Sequence, residues 1–296
     1  MAQTFGMQKT LKAPIHCRGI GLHSGARIEM VLRPAAPDTG IRFYRGDLNT
    51  EIAADWRNAV ESPLCTTLAN AKGVSVGTVE HLMAALSGLE VDNTLIELDG
   101  PEVPVMDGSA SPFVFLIECA GLTVQDAPRR VIRVLKPISV GTPGKSAALV
   151  PDDHFSVTFA IDFASSAIRR QELTLSPCPA TFKHELSAAR TFGFLDEVER
   201  MREAGLARGG SLENAVVVAG DRVLNEEGLR YVDEFVRHKM LDAIGDLYLA
   251  GAPLLGHFHG TRSGHSLNRQ LLTALFADRS AWCYAGAEPT PEAAVA

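Results

Sequence analysis

Three short segments carry the side chains that can do chemistry. His238, Asp242 and Asp246 recur every fourth residue within 235–248, with Lys239 beside the first of them. On a helix that spacing lines them up along one side, a turn apart. An imidazole and a carboxylate so placed can ligate one metal ion. A solvated polar face with an Asp–His ion pair has the same spacing, so the pattern alone leaves both readings open. Glu80 and His81 are an adjacent carboxylate and imidazole, and Ser263-Gly-His265 offers a third histidine. A hydrolytic zinc site typically holds three protein ligands and a water. His81, His238 and Asp242 would supply two nitrogens and one oxygen. Such a metal lowers the pKa of its water from 15.7 to about 7. Glu80 would then serve as the base and His265 as the acid for the leaving atom. As chemistry, this is one self-consistent assignment among several.

The elements that must position these groups are legible from periodicity. Apolar residues at Val232, Val236, Met240, Ile244 and Leu247 predict an amphipathic helix around 235–248. Residues 78–89 predict a second helix, with Thr78 as its cap and Glu80 in the first turn, where the helix dipole favours a carboxylate. Residues 111–121 predict a third, with Pro112 at its start and Gly121 at its end. A short charged helix is expected near 195–204 and a last one over 267–277. Alternation predicts strands at 26–32, 91–98 and 154–163. The glycine-rich stretch 19–25 lacks a following helix with a lysine. It therefore reads as a hairpin loop rather than a phosphate cradle, with His23 structural or at the surface. Residues 63–68 read as a buried strand. A faint echo links the halves: His81-x-Met83-x4-Gly88 recurs as His238-x-Met240-x4-Gly245.

A length of 296 residues favours two domains. The polar stretch 125–130, with its proline, suggests a boundary after 126. The expected division is 1–126, 127–285 and a flexible tail at 286–296. A net charge of −7 argues against a nucleic-acid surface, which needs a basic footprint. Five scattered cysteines without a CxxC pair suit a reducing compartment, and no apolar run is long enough to cross a membrane. The cytoplasm is the expected location.

The ordered motifs carry a resemblance. They are Gly-Leu-His-Ser-Gly (21–25), Thr-Val-Glu-His-Leu-Met-Ala-Ala-Leu (78–86), Met-Asp-Gly-Ser-Ala (106–110), Ala-Arg-Thr-Phe-Gly-Phe (189–194), His-Lys-Met-Leu-Asp-Ala-Ile-Gly-Asp-Leu (238–247) and Ser-Gly-His-Ser-Leu-Asn (263–268). From about Gln8 to Tyr284 the chain resembles the UDP-3-O-acyl-N-acetylglucosamine deacetylases, zinc amide hydrolases that commit Gram-negative bacteria to lipid A synthesis. The resemblance implies an α+β fold. Two similar sheet-plus-helix domains would pack helices-inward as a β-α-α-β sandwich, with the site between them. It implies one zinc per chain, or iron in the cell, bound by His81, His238 and Asp242. Glu80 would be the general base, His265 the proton donor or charge stabiliser, Asp246 its orienting partner, and Thr191 the group that polarises the amide carbonyl. Phe192 and Lys239 would contact the sugar nucleotide, and Lys145, Phe163 and Arg262 the diphosphate and uracil. Leu195, Val198, Ala207 and Val217, in and around an insert near 194–210, would line the acyl-chain site. The partner would be UDP-3-O-acyl-N-acetylglucosamine, met by a monomer. A zinc peptidase is the rival enzyme, but the HExxH helix is absent. A non-catalytic sugar-nucleotide binder is the other rival.

Overall fold

The computed structural model describes residues 5–62 and 64–285; the tail at 286–296 lies outside the described residues. In the first half, strict alternation builds a sheet with one buried face. Along Arg27–Pro34, Ile28, Met30 and Leu32 point inward while Arg27 and Glu29 stay exposed. The five strands lie in the order Ile15–Ile20, Arg27–Pro34, Thr94–Leu98, Ile41–Arg45 and Thr50–Ala53. Helices α1, Glu80–Gly88, and α2, Ser111–Ala120, share one apolar core with the buried face.

The second half repeats the plan. Its seven-stranded sheet centres on Leu254–Thr261. That strand pairs antiparallel with Lys145–Val150 on one side and parallel with Phe155–Asp162 on the other. The one-turn helix α3, Pro179–Thr181, runs into a π-helical turn, Phe182–Leu186. Helix α4, Leu195–Glu203, follows the strand Phe192–Phe194 of a small separate sheet. Helices α5, Glu234–Tyr248, and α6, His265–Ala277, complete the half. The fold is α+β, with helices from the two halves facing each other: α1 and α5 pack together more extensively than any other pair of helices. No helix among the described residues is long and apolar enough to cross a membrane.

Close approach of α1 and α5 explains one glycine of the internal echo. A Cβ on Gly245 would lie 2.0 Å from the Glu80 carbonyl oxygen, so the backbones of the two helices touch there.

Several expectations need correction. Helix α5 is not amphipathic: apart from Arg237 and Lys239 it is buried all round, because both flanks are covered. Val232 precedes the helix and is 93% exposed, so it belongs to no apolar stripe. Thr78 does not cap α1. It holds a left-handed backbone, φ 55°, and its hydroxyl donates to Glu102 Oε1 at 2.7 Å. The polar stretch at the expected boundary is partly in regular structure: Leu122–Pro128 is a strand paired antiparallel with Met7–Leu11. Its proline, Pro128, is the last residue of the strand, an end position where a missing N–H is tolerated. The division after 126 falls inside that strand. All five cysteines are free.

Candidate active site

The side chains His81, from the first turn of α1, and His238 and Asp242, a turn apart on α5, converge where the helices touch. Their ligand atoms all lie within 4.8 Å of one another. Asp242 Oδ1 is 3.5 Å from His81 Nε2 and 3.3 Å from His238 Nε2. The two rings stand at 79°, centroids 5.0 Å apart. All three residues are buried. His238 Nδ1 donates to the carbonyl of Ala189 at 3.0 Å, so its Nε2 lone pair faces the centre. Burial pulls the His238 pKa down to about 3, against the attraction of Asp242. The ring is therefore neutral, the form that ligates metal. Burial would raise Asp242, but His238 and Lys239 outweigh it and hold the carboxyl well below its usual range.

These residues fit a metal ion on a specific observation: Asp242 Oδ1 is buried with no hydrogen-bond donor. An ionised oxygen left so is costly, and a cation shared with the two Nε2 atoms would satisfy it. Two imidazoles and one carboxylate are a donor set typical of catalytic zinc.

The proton-carrying groups flank the triad. His265, the first residue of α6, sets its Nε2 3.8 Å from Glu80 Oε1 and 4.0 Å from Asp242 Oδ2. Its Nδ1 donates to Asp246 Oδ2 at 2.8 Å. Burial raises the Glu80 pKa to about 7, against the pull of His265 and His81. Burial also opposes a charged His265, yet the Asp246 carboxylate, with Glu80 behind it, lifts that pKa to about 10. The two groups thus differ in protonation across neutral pH, one poised to accept and the other to donate.

Sequence reasoning missed two partners here. Asn268 Nδ2 donates to Asp246 Oδ2 at 2.8 Å and is itself held by the Ser263 hydroxyl. Thr66, inside the stretch read as a plain buried strand, touches the whole set. Its backbone N–H donates to Glu80 Oε2 at 3.0 Å, and its hydroxyl donates to Asp246 Oδ1 and lies 3.1 Å from His265 Nδ1. No local pattern marks a threonine whose partners lie far along the chain. Thr66→Val keeps the shape and removes the hydroxyl. It should lower kcat about 10–100-fold, the worth of a hydrogen bond to a charged group, with Thr66→Ser near wild type. Unchanged turnover in Thr66→Val would leave Asp246 and His265 self-sufficient.

Two cavities open beside the centre. One, of about 320 Å³, is lined by Leu195, Val198, Ala207 and Val217, the four residues that the resemblance puts around the acyl chain, together with Thr191, Phe192, Leu22 and His23. His23 is half-buried, with both its ring nitrogens buried without a partner. The turn that carries it is pinned by Glu102, which accepts from the backbone N–H groups of His23 and Ser24. The other cavity, about 230 Å³, gathers Lys145, Phe163, Lys239 and Arg262. Phe192 joins the two, its ring 5.7 Å from that of Phe163 and 6.3 Å from that of His238. Arg262 and Ala207 hold left-handed backbones, φ 48° and 50°, an uncommon conformation outside glycine. Thr191 is placed from below: its N–H donates to Gly108 O at 2.8 Å. Gly108, with φ 83°, lies so close to Asn214 that a Cβ would meet that carbonyl oxygen at 2.0 Å. That contact accounts for the glycine of Met-Asp-Gly-Ser-Ala.

Comparison with known proteins covers most of the chain. The model of the UDP-3-O-acyl N-acetylglycosamine deacetylase family matches residues 8–277. A UDP-3-O-acyl-N-acetylglucosamine deacetylase of Acidithiobacillus ferrooxidans is 52% identical over 279 residues, covering 93% of this chain and 91% of that one. One from Phenylobacterium zucineum is 53% identical over 278 residues, with 93% and 95% covered. One from Nitrosococcus oceani is 52% identical over 279 residues, with 93% and 91% covered. With a family match over nearly its whole length and half its residues shared with such relatives, the chain belongs to the UDP-3-O-acyl N-acetylglycosamine deacetylase family.

Proposed function

We propose that the protein is a zinc-dependent amide hydrolase. It removes the acetyl group of UDP-3-O-acyl-N-acetylglucosamine, giving UDP-3-O-acyl-glucosamine and acetate, the committed step of lipid A synthesis. The observation that carries this is the donor-less oxygen of Asp242 facing two imidazole nitrogens, with Glu80 and His265 on either side. A metal bound there supplies Lewis acidity, acidifying water and polarising the amide carbonyl. Zinc suits the donor set, and iron is the alternative.

The chain's own residues do the rest. Glu80, ionised, takes a proton from the attacking water. Thr191 donates its hydroxyl hydrogen to the carbonyl oxygen as negative charge develops there. The acetyl carbon gains the water oxygen and loses the sugar nitrogen. His265, held by Asp246, gives its proton to that nitrogen as the C–N bond breaks. The apolar cavity around Leu195, Val198, Ala207 and Val217 takes the 3-O-acyl chain. Lys145, Phe163 and Arg262 take the diphosphate and uracil, with Phe192 and Lys239 against the sugar nucleotide. The enzyme acts as a monomer in the cytoplasm, a placement supported by its free cysteines. The deciding experiment combines metal analysis with an acetate-release assay on this substrate. About one metal per chain and release abolished by chelation are expected for a site of three ligands and a water. Tight sugar-nucleotide binding without acetate release would favour the non-catalytic binder instead.

Lys239 has two claims on it. It lines the Lys145–Arg262 cavity, and its Nζ also donates to Asp242 Oδ2 at 2.7 Å. The protein is net −7, so a diphosphate must be held by local cations. A charge-assisted contact to phosphate is worth about 1.5–3 kcal/mol. Lys239→Ala should therefore raise KM about tenfold, with metal content unchanged. The defect should largely vanish on an N-acetylglucosamine derivative lacking UDP. A defect of equal size on both substrates would assign Lys239 to Asp242 alone.

A further inference from the structure

Between Ala189 and Thr191 lies a charged side chain that the deacetylation chemistry does not use. Arg190 is only 2% exposed. Its Nε donates to Glu234 Oε1 at 2.9 Å and a terminal nitrogen to Glu234 Oε2 at 3.3 Å. The terminal nitrogens also donate to Glu227 Oε1 at 2.6 Å and to the Gly228 carbonyl at 2.7 Å. The backbone N–H of Arg190 also donates to Glu234 Oε1, at 3.0 Å. Glu234 is fully buried and is the first residue of α5, one turn before His238.

We propose that the Arg190–Glu234 pair is a positioning unit for the active centre. It clamps residues 189–191 to the start of α5. The Ala189 carbonyl thereby holds the His238 ring, and Thr191 is held at the mouth of the acyl cavity. The proposal rests on the deacetylase reading for the role of Thr191, though not for the hold on His238.

Three features carry it. First, one carboxylate oxygen accepts from both the side chain and the backbone of Arg190, so the pair fixes the path of the main chain as well as a charge. Second, that main chain carries two functional atoms on either side of Arg190. The Ala189 oxygen accepts from His238 Nδ1, and the Thr191 N–H and C=O are tied to Gly108 and Val216. Third, stability alone is a poor reason for such a pair. Buried ion pairs replaced by apolar groups of similar volume are often neutral or better in stability. An apolar pair could not accept the Arg190 N–H. Arg230 reinforces the clamp: its N–H donates to Glu234 Oε2, and its guanidinium donates to Asp107 and to the Ala188 carbonyl.

The test uses the full-length, zinc-loaded protein and three variants: Glu234→Gln, Arg190→Lys, and the double variant Arg190→Met/Glu234→Leu. For each, kcat and KM are measured, together with zinc loss to a chelator and the thermal midpoint. Loss of groups that orient metal ligands typically weakens metal affinity about 10–100-fold. Zinc loss should accelerate by about that factor in Glu234→Gln, while kcat falls about tenfold or more and KM stays within about twofold. The double variant should regain thermal stability without regaining zinc retention or kcat. A folded variant with wild-type kcat and zinc retention overturns the proposal, as does a drop in thermal midpoint alone. If Glu234→Gln and the double variant fail to fold, Arg190→Lys decides. It keeps the charge and loses the fork. If the wild-type protein releases no acetate, the deacetylase reading fails. The zinc arm needs no substrate and still decides whether the pair holds His238.

Discussion

Glu80→Gln should lower kcat by roughly 10²–10⁴-fold while metal content and fold stay intact, the usual size of a lost general acid–base contribution. His265→Gln should do the same. The reason lies in the opposed environments of the two groups. Glu80 is pushed up to about 7, mainly by burial. His265 is lifted to about 10 because the Asp246 carboxylate overcomes the effect of burial. Glu80 must be ionised to accept a proton, so activity is lost as pH falls through its value. His265 must be charged to donate one, so activity is lost as pH rises through its value. The profile of kcat/KM should be a bell. A dication at the neighbouring triad favours the deprotonated forms, so both limbs should shift downward in the loaded enzyme. Glu80→Gln should abolish the acid limb and His265→Gln the alkaline one. Near-native turnover in Glu80→Gln would require another base. An unchanged pair of limbs in both variants would assign the titrations elsewhere, since the two groups lie 3.8 Å apart and titrate as a pair.

The second large effect is on the metal itself. His238→Ala should lose most of the bound zinc and, with it, nearly all activity. The variant removes one of three donors and leaves Asp242 with a single Nε2 partner. His81→Ala should behave alike, because its Nε2 lies opposite the same Asp242 oxygen. Among the described residues no other group of three His, Cys, Asp or Glu side chains gathers closely enough to take over. The check is metal per chain after dialysis, measured alongside circular dichroism to confirm the fold. Full occupancy in a His81→Ala/His238→Ala double variant would sink the assignment of this centre.

The sequence by itself determined the local pieces and, through its ordered motifs, the family. Apolar spacing located α5, helix-forming residues α1, and a starting proline with a closing glycine α2, each closely, because tertiary packing reinforced what the local sequence already favoured. The i, i+4, i+8 spacing of His238, Asp242 and Asp246 held once a helix formed, since helical geometry alone puts them on one side. Ordered motifs, matched to a family, named His81, Glu80, Thr191 and His265 although they are far apart in the chain. Only the tertiary structure decided what surrounds these groups. The polar stripe of α5 looked solvated by composition; contact with α1 on one side and α6 on the other buries it, and burial is what splits the protonation of Glu80 and His265. Thr66 and Asn268 gave no local signal because their partners lie on other elements. Thr78 looked like a cap, but a left-handed backbone turns its hydroxyl to Glu102. The stretch near 125–130 suggested a domain boundary because its composition is polar. Its first four residues belong to the strand Leu122–Pro128 because Met7–Leu11 offers a ladder of hydrogen bonds, and a partner 120 residues away leaves no trace in local composition. Spacing along one helix is a property of the chain; burial, pairing and the acceptor left unmet at Asp242 are properties of what the fold brings beside it.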